Sequence, residues 1–216
     1  MRRTIAKASL HTALNLAVFA LIGTAILAFT FAQTHERIAQ SEEAEKLKLI
    51  SQIVPQTLFD NDIIKDTLDI KTDALLGNED TTTAYRARLG GEPSVIVLEA
   101  IAPDGYSGKI GLLIAIKSTG ELAGVRVLTH KETPGLGDYI EIARSPWIKG
   151  FDGKSQGQDA DWKVKKDGGQ FDYMAGATIT PRAVVKAVHK ALQYFAAHHD
   201  ALFAQKTTSA TQELKP

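Results

Sequence analysis

One stretch constrains this chain more than any other. Between residues 8 and 34 there is no Asp, Glu, Lys or Arg, and residues 13–32 (ALNLAVFALIGTAILAFTFA) are almost wholly apolar. About 20 such residues, coiled as one helix, cross a hydrocarbon core of about 30 Å. Arg2, Arg3 and Lys7 precede the run and Glu36 follows it. The positive-inside bias therefore predicts the N-terminus in the cytoplasm and the remainder of the chain outside the membrane. A cleaved signal peptide has an apolar core of only about 7–15 residues and a small-x-small cleavage site. The longer run here, ending Thr30-Phe31-Ala32-Gln33, reads as an uncleaved anchor.

Residues 37–54 have helix-forming composition. Ile38, Leu47, Ile50, Ile53 and Val54 are candidate buried positions, Glu42, Glu43, Glu45, Lys46 and Lys48 form the wet face, and Pro55 ends the segment. This helix is expected to continue out of the membrane and space the following domain from it. Residues 56–80 are mixed and acidic. Asp60 and Asp62 read as a solvated loop, because no third ligand is placed by spacing. From residue 81 the grammar is that of strands: 83–89, 94–102, 109–117 and 122–128, joined by connections short enough to imply antiparallel pairing. Residues 162–166 read as a further strand, closed by a turn at Asp167-Gly168-Gly169. A long helix is expected from Pro181 to about His199, burying Val184, Val185, Val188, Leu192 and Phe195. Strands followed by a helix make an α+β domain.

Composition narrows the chemistry. Lys plus Arg and Asp plus Glu both total 25, giving a formal charge of zero, which argues against nucleic acid as a partner. The chain has no cysteine. That excludes disulfides, thiolate metal sites, iron–sulfur clusters and a cysteine nucleophile.

Two segments carry chemistry. In HKETPGLGD at 130–138, Gly135 and Gly137 flank Leu136 in a loop that leaves a strand. It reads either as a plain strand exit or as backbone made bare for close approach to a flat ligand. His130 and Glu132, with no second histidine nearby, read as a surface pair. In DYMAGATITPRAV at 172–184, Thr180 suits an N-cap and Pro181 the first helical position. Thr178 then sits just ahead of a helix N-terminus, in a turn opened by Gly176. Its hydroxyl either helps to cap the helix or lies where free N–H groups and the helix dipole hold a phosphate.

Taken with Gly105-Tyr106-Ser107-Gly108-Lys109-Ile110, these two segments resemble the FMN-binding family of Rnf-type electron transport complexes, their G subunits (RnfG) above all. The likeness extends over nearly the whole chain. The resemblance implies FMN joined covalently through its phosphate to Thr178, by a magnesium-dependent flavin transferase that takes FAD as donor and releases AMP. It implies that Glu132, Thr133, Gly135, Leu136 and Gly137 lie nearest the isoalloxazine ring, and that Gly176, Ala177 and Thr180 shape the phosphate region. The chain has Ala175 where the family usually has Ser or Thr. Lys163 and Lys165 read as strand-surface lysines, and Trp147 and Trp162 as core residues rather than ring-stacking ones.

On that resemblance the chain divides into a cytoplasmic N-terminus (1–9), a transmembrane helix (10–33), a juxtamembrane part (34–80), an exported FMN-binding domain (81–204) and a disordered tail (205–216). The implied partners are the other subunits of the membrane complex, with the transferase during maturation. The implied role is a non-autonomous redox subunit that relays electrons coupled to ion translocation across the cytoplasmic membrane. Two alternatives stay open on the sequence: the C subunit of a sodium-translocating NADH:quinone reductase, and an anchored binding module without flavin.

Overall fold

The computed structural model describes residues 2–157 and 161–204. The expected disordered tail at 205–216 lies outside them. The chain forms two compact units, Met1–Leu47 and Lys48–Pro216.

The described residues of the first unit are all helical, part of α1 (Arg2–Ile53). The helix contains a stretch long and apolar enough to cross a membrane. Its large side chains there, such as Leu14, Phe19, Leu27 and Phe29, are exposed rather than packed on protein. Ile38, a candidate buried position, is also exposed, whereas Leu49, Ile50, Ile53 and Val54 at the helix end are buried in the second unit.

The second unit is built on one antiparallel meander, β1 (Thr67–Ile70), β2 (Thr82–Leu89), β3 (Glu92–Gly105), β4 (Gly108–Lys117) and β5 (Leu122–Thr129), in that spatial order. The short turns from β2 to β5 permit nothing else, since a parallel partner needs a long crossover. At its centre Ile96 pairs with Ile116, Leu98 with Ile114 and Ala100 with Leu112. These residues form one core with Val184, Val188 and Leu192 of α2 (Ile179–Phe203). The alternate residues Val95, Val97, Leu113 and Ala115 are buried on the opposite face. Burial on both faces is why these strands read as nearly continuous apolar runs. The end of α1 lies at β5: a Cβ on Gly124 would stand 2.7 Å from Ile53 Cγ2, and Arg126 Nε donates to Gln52 Oε1 at 2.9 Å.

Three details differ from the sequence reading. β1 falls in the stretch read as acidic loop; it is held at the sheet edge by pairing of Leu68 with Ala84 and Ile70 with Thr82. Residues 162–166 are not a strand. Lys165–Asp167 form a 3₁₀ turn, and Val164 makes an isolated bridge with Phe171 in place of a ladder. The segment folds back so tightly that a Cβ on Gly169 would lie 2.1 Å from the Lys163 carbonyl oxygen. Finally, α2 begins earlier than expected, which puts Thr178 at the N-cap position and Pro181 third in the helix. Its far end is closed by side chains from β2. Arg88 donates to the Phe203 carbonyl at 2.9 Å, Arg86 donates to that of Ala204, and both arginines pair with Asp66. Cations on the last carbonyls of a helix satisfy groups that have no intrahelical donor.

Candidate functional site

Three segments distant in sequence converge at the N-terminus of α2: the β3–β4 turn, the loop leaving β5, and the turn that opens α2. Between them is a cavity of about 310 Å³ lined by Tyr106, Glu132, Thr133, Leu136, Gly137, Gly176, Ala177, Thr178, Ile179 and Thr180. That volume lies at the small end of ligand pockets, roughly 300–1,000 Å³.

The turn before α2 is specified by one glycine. Ala177 N–H donates to the Met174 carbonyl at 3.1 Å, and Gly176, third residue of that turn, has φ +87°. A turn with positive φ at this position selects glycine. The approach to the turn is pinned by two aromatic residues. Trp147 Nε1 donates to the Asp172 carbonyl at 2.7 Å, and Met174 N–H donates to the Tyr139 hydroxyl at 3.4 Å. Tyr139 packs edge-to-face on Trp147 with centroids 5.5 Å apart. Burial pushes its phenol up to about 12.

Thr178 follows directly. It is half-buried in the cavity wall, and its hydroxyl makes no capping bond to the helix. The N–H groups of Ile179 and Thr180, in the first turn of α2, have no intrahelical acceptor. An available hydroxyl beside first-turn N–H groups is the donor set that suits a phosphate. Of the two sequence alternatives for the hydroxyl, helix capping is therefore not seen.

The loop leaving β5 differs from the surface pair expected of His130 and Glu132. Glu132 is only 4% exposed. Its Oε1 accepts the Ser107 N–H at 3.0 Å and its Oε2 accepts the Thr180 hydroxyl at 2.6 Å. Its own N–H donates to His130 Nδ1 at 2.9 Å. That bond makes Nδ1 an acceptor, so Nε2 carries the proton directed at Glu141 Oε1, 2.6 Å away. Gly135, with φ +76°, turns the loop and donates to Asp138 Oδ1 at 2.8 Å. Gly137 N–H donates to the Thr133 carbonyl at 3.0 Å.

The cavity thus gathers every residue that the resemblance assigns to the flavin ring or its phosphate except Gly135, which turns the loop. Tyr106 and Ile179 were not among them. Tyr106 had a signal, since it stands inside the third motif; Ile179 had none beyond its place beside Thr178. Trp162 does not reach the cavity. It stacks on His189 at 5.2 Å and packs against Phe171 in a tilted arrangement at 5.4 Å. Trp147 supports the site from outside it. Lys165 pairs with Asp172, and neither it nor Lys163 lines the cavity. Among the described residues there is no cluster of metal-ligating side chains.

Comparison with known proteins agrees with this geometry. Residues 105–193, which contain all the cavity-lining residues, match the FMN-binding domain family, and residues 1–53 match the RnfG N-terminal region. The G subunit of the ion-translocating oxidoreductase complex of Pseudomonas aeruginosa (strain UCBPP-PA14) is 49% identical over 92% of this chain and 94% of its own length. The protein of the same name from Shewanella loihica is 46% identical over 98% of this chain and 99% of its own. A more remote likeness is the crystal structure of Shewanella oneidensis NqrC, with 21% identity, TM-score 0.46, and coverage of 68% of this chain and 76% of that one. With end-to-end identity near one half, and with the motifs of the matched domain meeting around one cavity, the chain belongs to the family of G subunits of ion-translocating oxidoreductase complexes.

Proposed function

We propose that the chain is the membrane-anchored flavoprotein subunit of an ion-translocating oxidoreductase complex, with FMN held covalently through its phosphate on Thr178. The observation that carries this reading is the position of Thr178: an uncommitted hydroxyl at the first turn of a helix, in the wall of a cavity large enough to begin enclosing a flat ligand. In the attachment step the Thr178 oxygen forms a bond to the FMN-side phosphorus of FAD. The bond from that phosphorus to the bridging oxygen breaks, AMP departs, and the hydroxyl proton passes to a base of the transferase. The resulting phosphodiester keeps one negative charge, which the α2 N-terminus stabilises.

Bound there, the flavin supplies one- and two-electron redox chemistry. The chain's own residues supply place and surroundings. Gly176 and Ala177 give the phosphate end its bare backbone, and Thr133, Leu136 and Gly137 wall the cavity. Tyr106, Leu136 and Ile179 are exposed at its rim. An apolar, open rim suits electron exchange with a redox centre on a neighbouring protein of the complex, which has to come close without displacing the cofactor. No substrate-converting side chain is required, so the chain works as a non-autonomous relay. α1 anchors it in the cytoplasmic membrane, with Arg2, Arg3 and Lys7 on the cytoplasmic side and the 81–204 region outside.

The test is in-gel fluorescence of denatured chain produced together with a flavin transferase. The wild-type band fluoresces and Thr178→Ala is dark while melting as a folded protein. A dark wild-type band refutes the reading. Protease added outside spheroplasts leaves only an N-terminal fragment; an intact chain refutes the orientation.

A further inference from the structure

Glu132 is the most enclosed acidic side chain near the cavity, and its surroundings are built around it. Glycines stand on two sides: a Cβ on Gly105 would lie 2.9 Å from Glu132 Oε1, and a Cβ on Gly137 would lie 2.8 Å from Oε2. The two oxygens take donors from different elements, Ser107 N–H in the β3–β4 turn and the Thr180 hydroxyl in the first turn of α2. The backbone of Glu132 is tied in turn to His130, and His130 to Glu141. One carboxylate therefore joins all three segments that make the cavity. Thr180 is two residues beyond Thr178, and it is 1% exposed. Its buried hydrogen bond to Glu132 ties the first turn of α2, where Thr178 stands, to the loop that leaves β5.

We infer that Glu132 and Thr180 are positioning residues for modification of Thr178: their hydrogen bond clamps the first turn of α2 so that the Thr178 hydroxyl faces the incoming phosphorus. The inference rests on the proposed attachment at Thr178. It gives Glu132 a task other than contact with the flavin ring, and it makes that task one of geometry, not of charge. Glutamine can do the same task. Its carbonyl oxygen accepts from Ser107 and its amide donates to the Thr180 oxygen. Serine at position 180 keeps the hydroxyl, whereas valine keeps the shape and removes it.

The experiment measures transfer of FMN from FAD to the full-length chain by a flavin transferase with magnesium, read by intact mass. Hydrogen exchange at residues 176–182 is followed on the same chains before modification. Thr180→Val and Glu132→Ala are expected to lower kcat for modification by about tenfold or more. KM for the chain stays unchanged, and exchange in the first turn of α2 becomes faster. Thr180→Ser and Glu132→Gln are expected to stay within about twofold of wild type in both readouts. Melting temperatures identify any variant that has lost the whole fold; if Val and Ala do not fold, a loss well beyond about twofold in Thr180→Ser or Glu132→Gln overturns the clamp. Modification of Thr180→Val at the wild-type rate, or loss in Glu132→Gln as deep as in Glu132→Ala, overturns the clamp while leaving attachment at Thr178 intact. A wild-type chain that accepts no FMN overturns the attachment itself, and the clamp with it.

Discussion

Gly137 lies against Glu132 with no room for a side chain: a Cβ there would meet Oε2 at 2.8 Å, the Glu132 Cβ at 2.9 Å and Thr180 Oγ1 at 3.1 Å. Its backbone is ordinary right-handed helical, φ −86° and ψ −17°, so glycine is required for space and not for conformation. Gly135 is the reverse case, with φ +76° and nothing within 4 Å of a Cβ. Gly137→Ala is therefore expected to destabilise the fold by about 1–3 kcal/mol through overpacking. Gly137→Asn should be worse. Gly135→Ala should cost about 1–2 kcal/mol from the left-handed backbone, with Gly135→Asn milder. Denaturant melts of the four variants check this ordering; an asparagine better tolerated at 137 than at 135 contradicts it.

Tyr139 ties the turn before Thr178 to the pH of alkaline solutions. Burial pushes its phenol up to about 12, above the ordinary value near 10. Between those values the folded chain keeps a proton that the unfolded chain releases. Stability therefore falls as pH rises through this window. Tyr139→Phe is expected to flatten that fall, leaving the part due to Tyr194, which burial also raises. Melts at about pH 9 and about pH 11 measure the difference; an unchanged slope in Tyr139→Phe contradicts the assignment.

His189 acts at the other end of the scale. It stacks on Trp162 with centroids 5.2 Å apart and planes 8° from parallel, and burial holds its pKa below the usual value. The unfolded chain takes up a proton first as pH falls below about 6.5, so the stability present at neutral pH is lost on acidification. His189→Phe keeps the stack and removes the titration. It is expected to retain more of its neutral-pH stability at about pH 5 than wild type does, measured by thermal melts at both pH values. An equal loss in both chains contradicts it.

How much of this was legible beforehand follows from the range of each interaction. The alternation in β2, the apolar runs of β3 and β4 with their short connections, and the apolar stripe of Val184, Val188 and Leu192 are local patterns, and they pointed to the meander and its covering helix. Gly176 and Thr178 announced themselves through turn and helix-start chemistry within a few residues. The role of Glu132 was hidden because its partners, Ser107 and Thr180, are 25 and 48 residues away. Without them, a charged residue beside a histidine looks like surface. Trp162 to Lys166 has strand composition, but Gly169 packing on the Lys163 backbone overrides it. Four-residue β1 owes its existence to pairing with β2, a tertiary cause that a short acidic stretch does not advertise.

Attachment at Thr178 is tested most directly by the mass of the peptide that contains it, taken from the native chain isolated from its own membrane. The expected result is an addition equal to FMN less one water, located on Thr178 and absent from Thr178→Ala. An unmodified peptide, or the same addition on Thr180 or another residue, would contradict it.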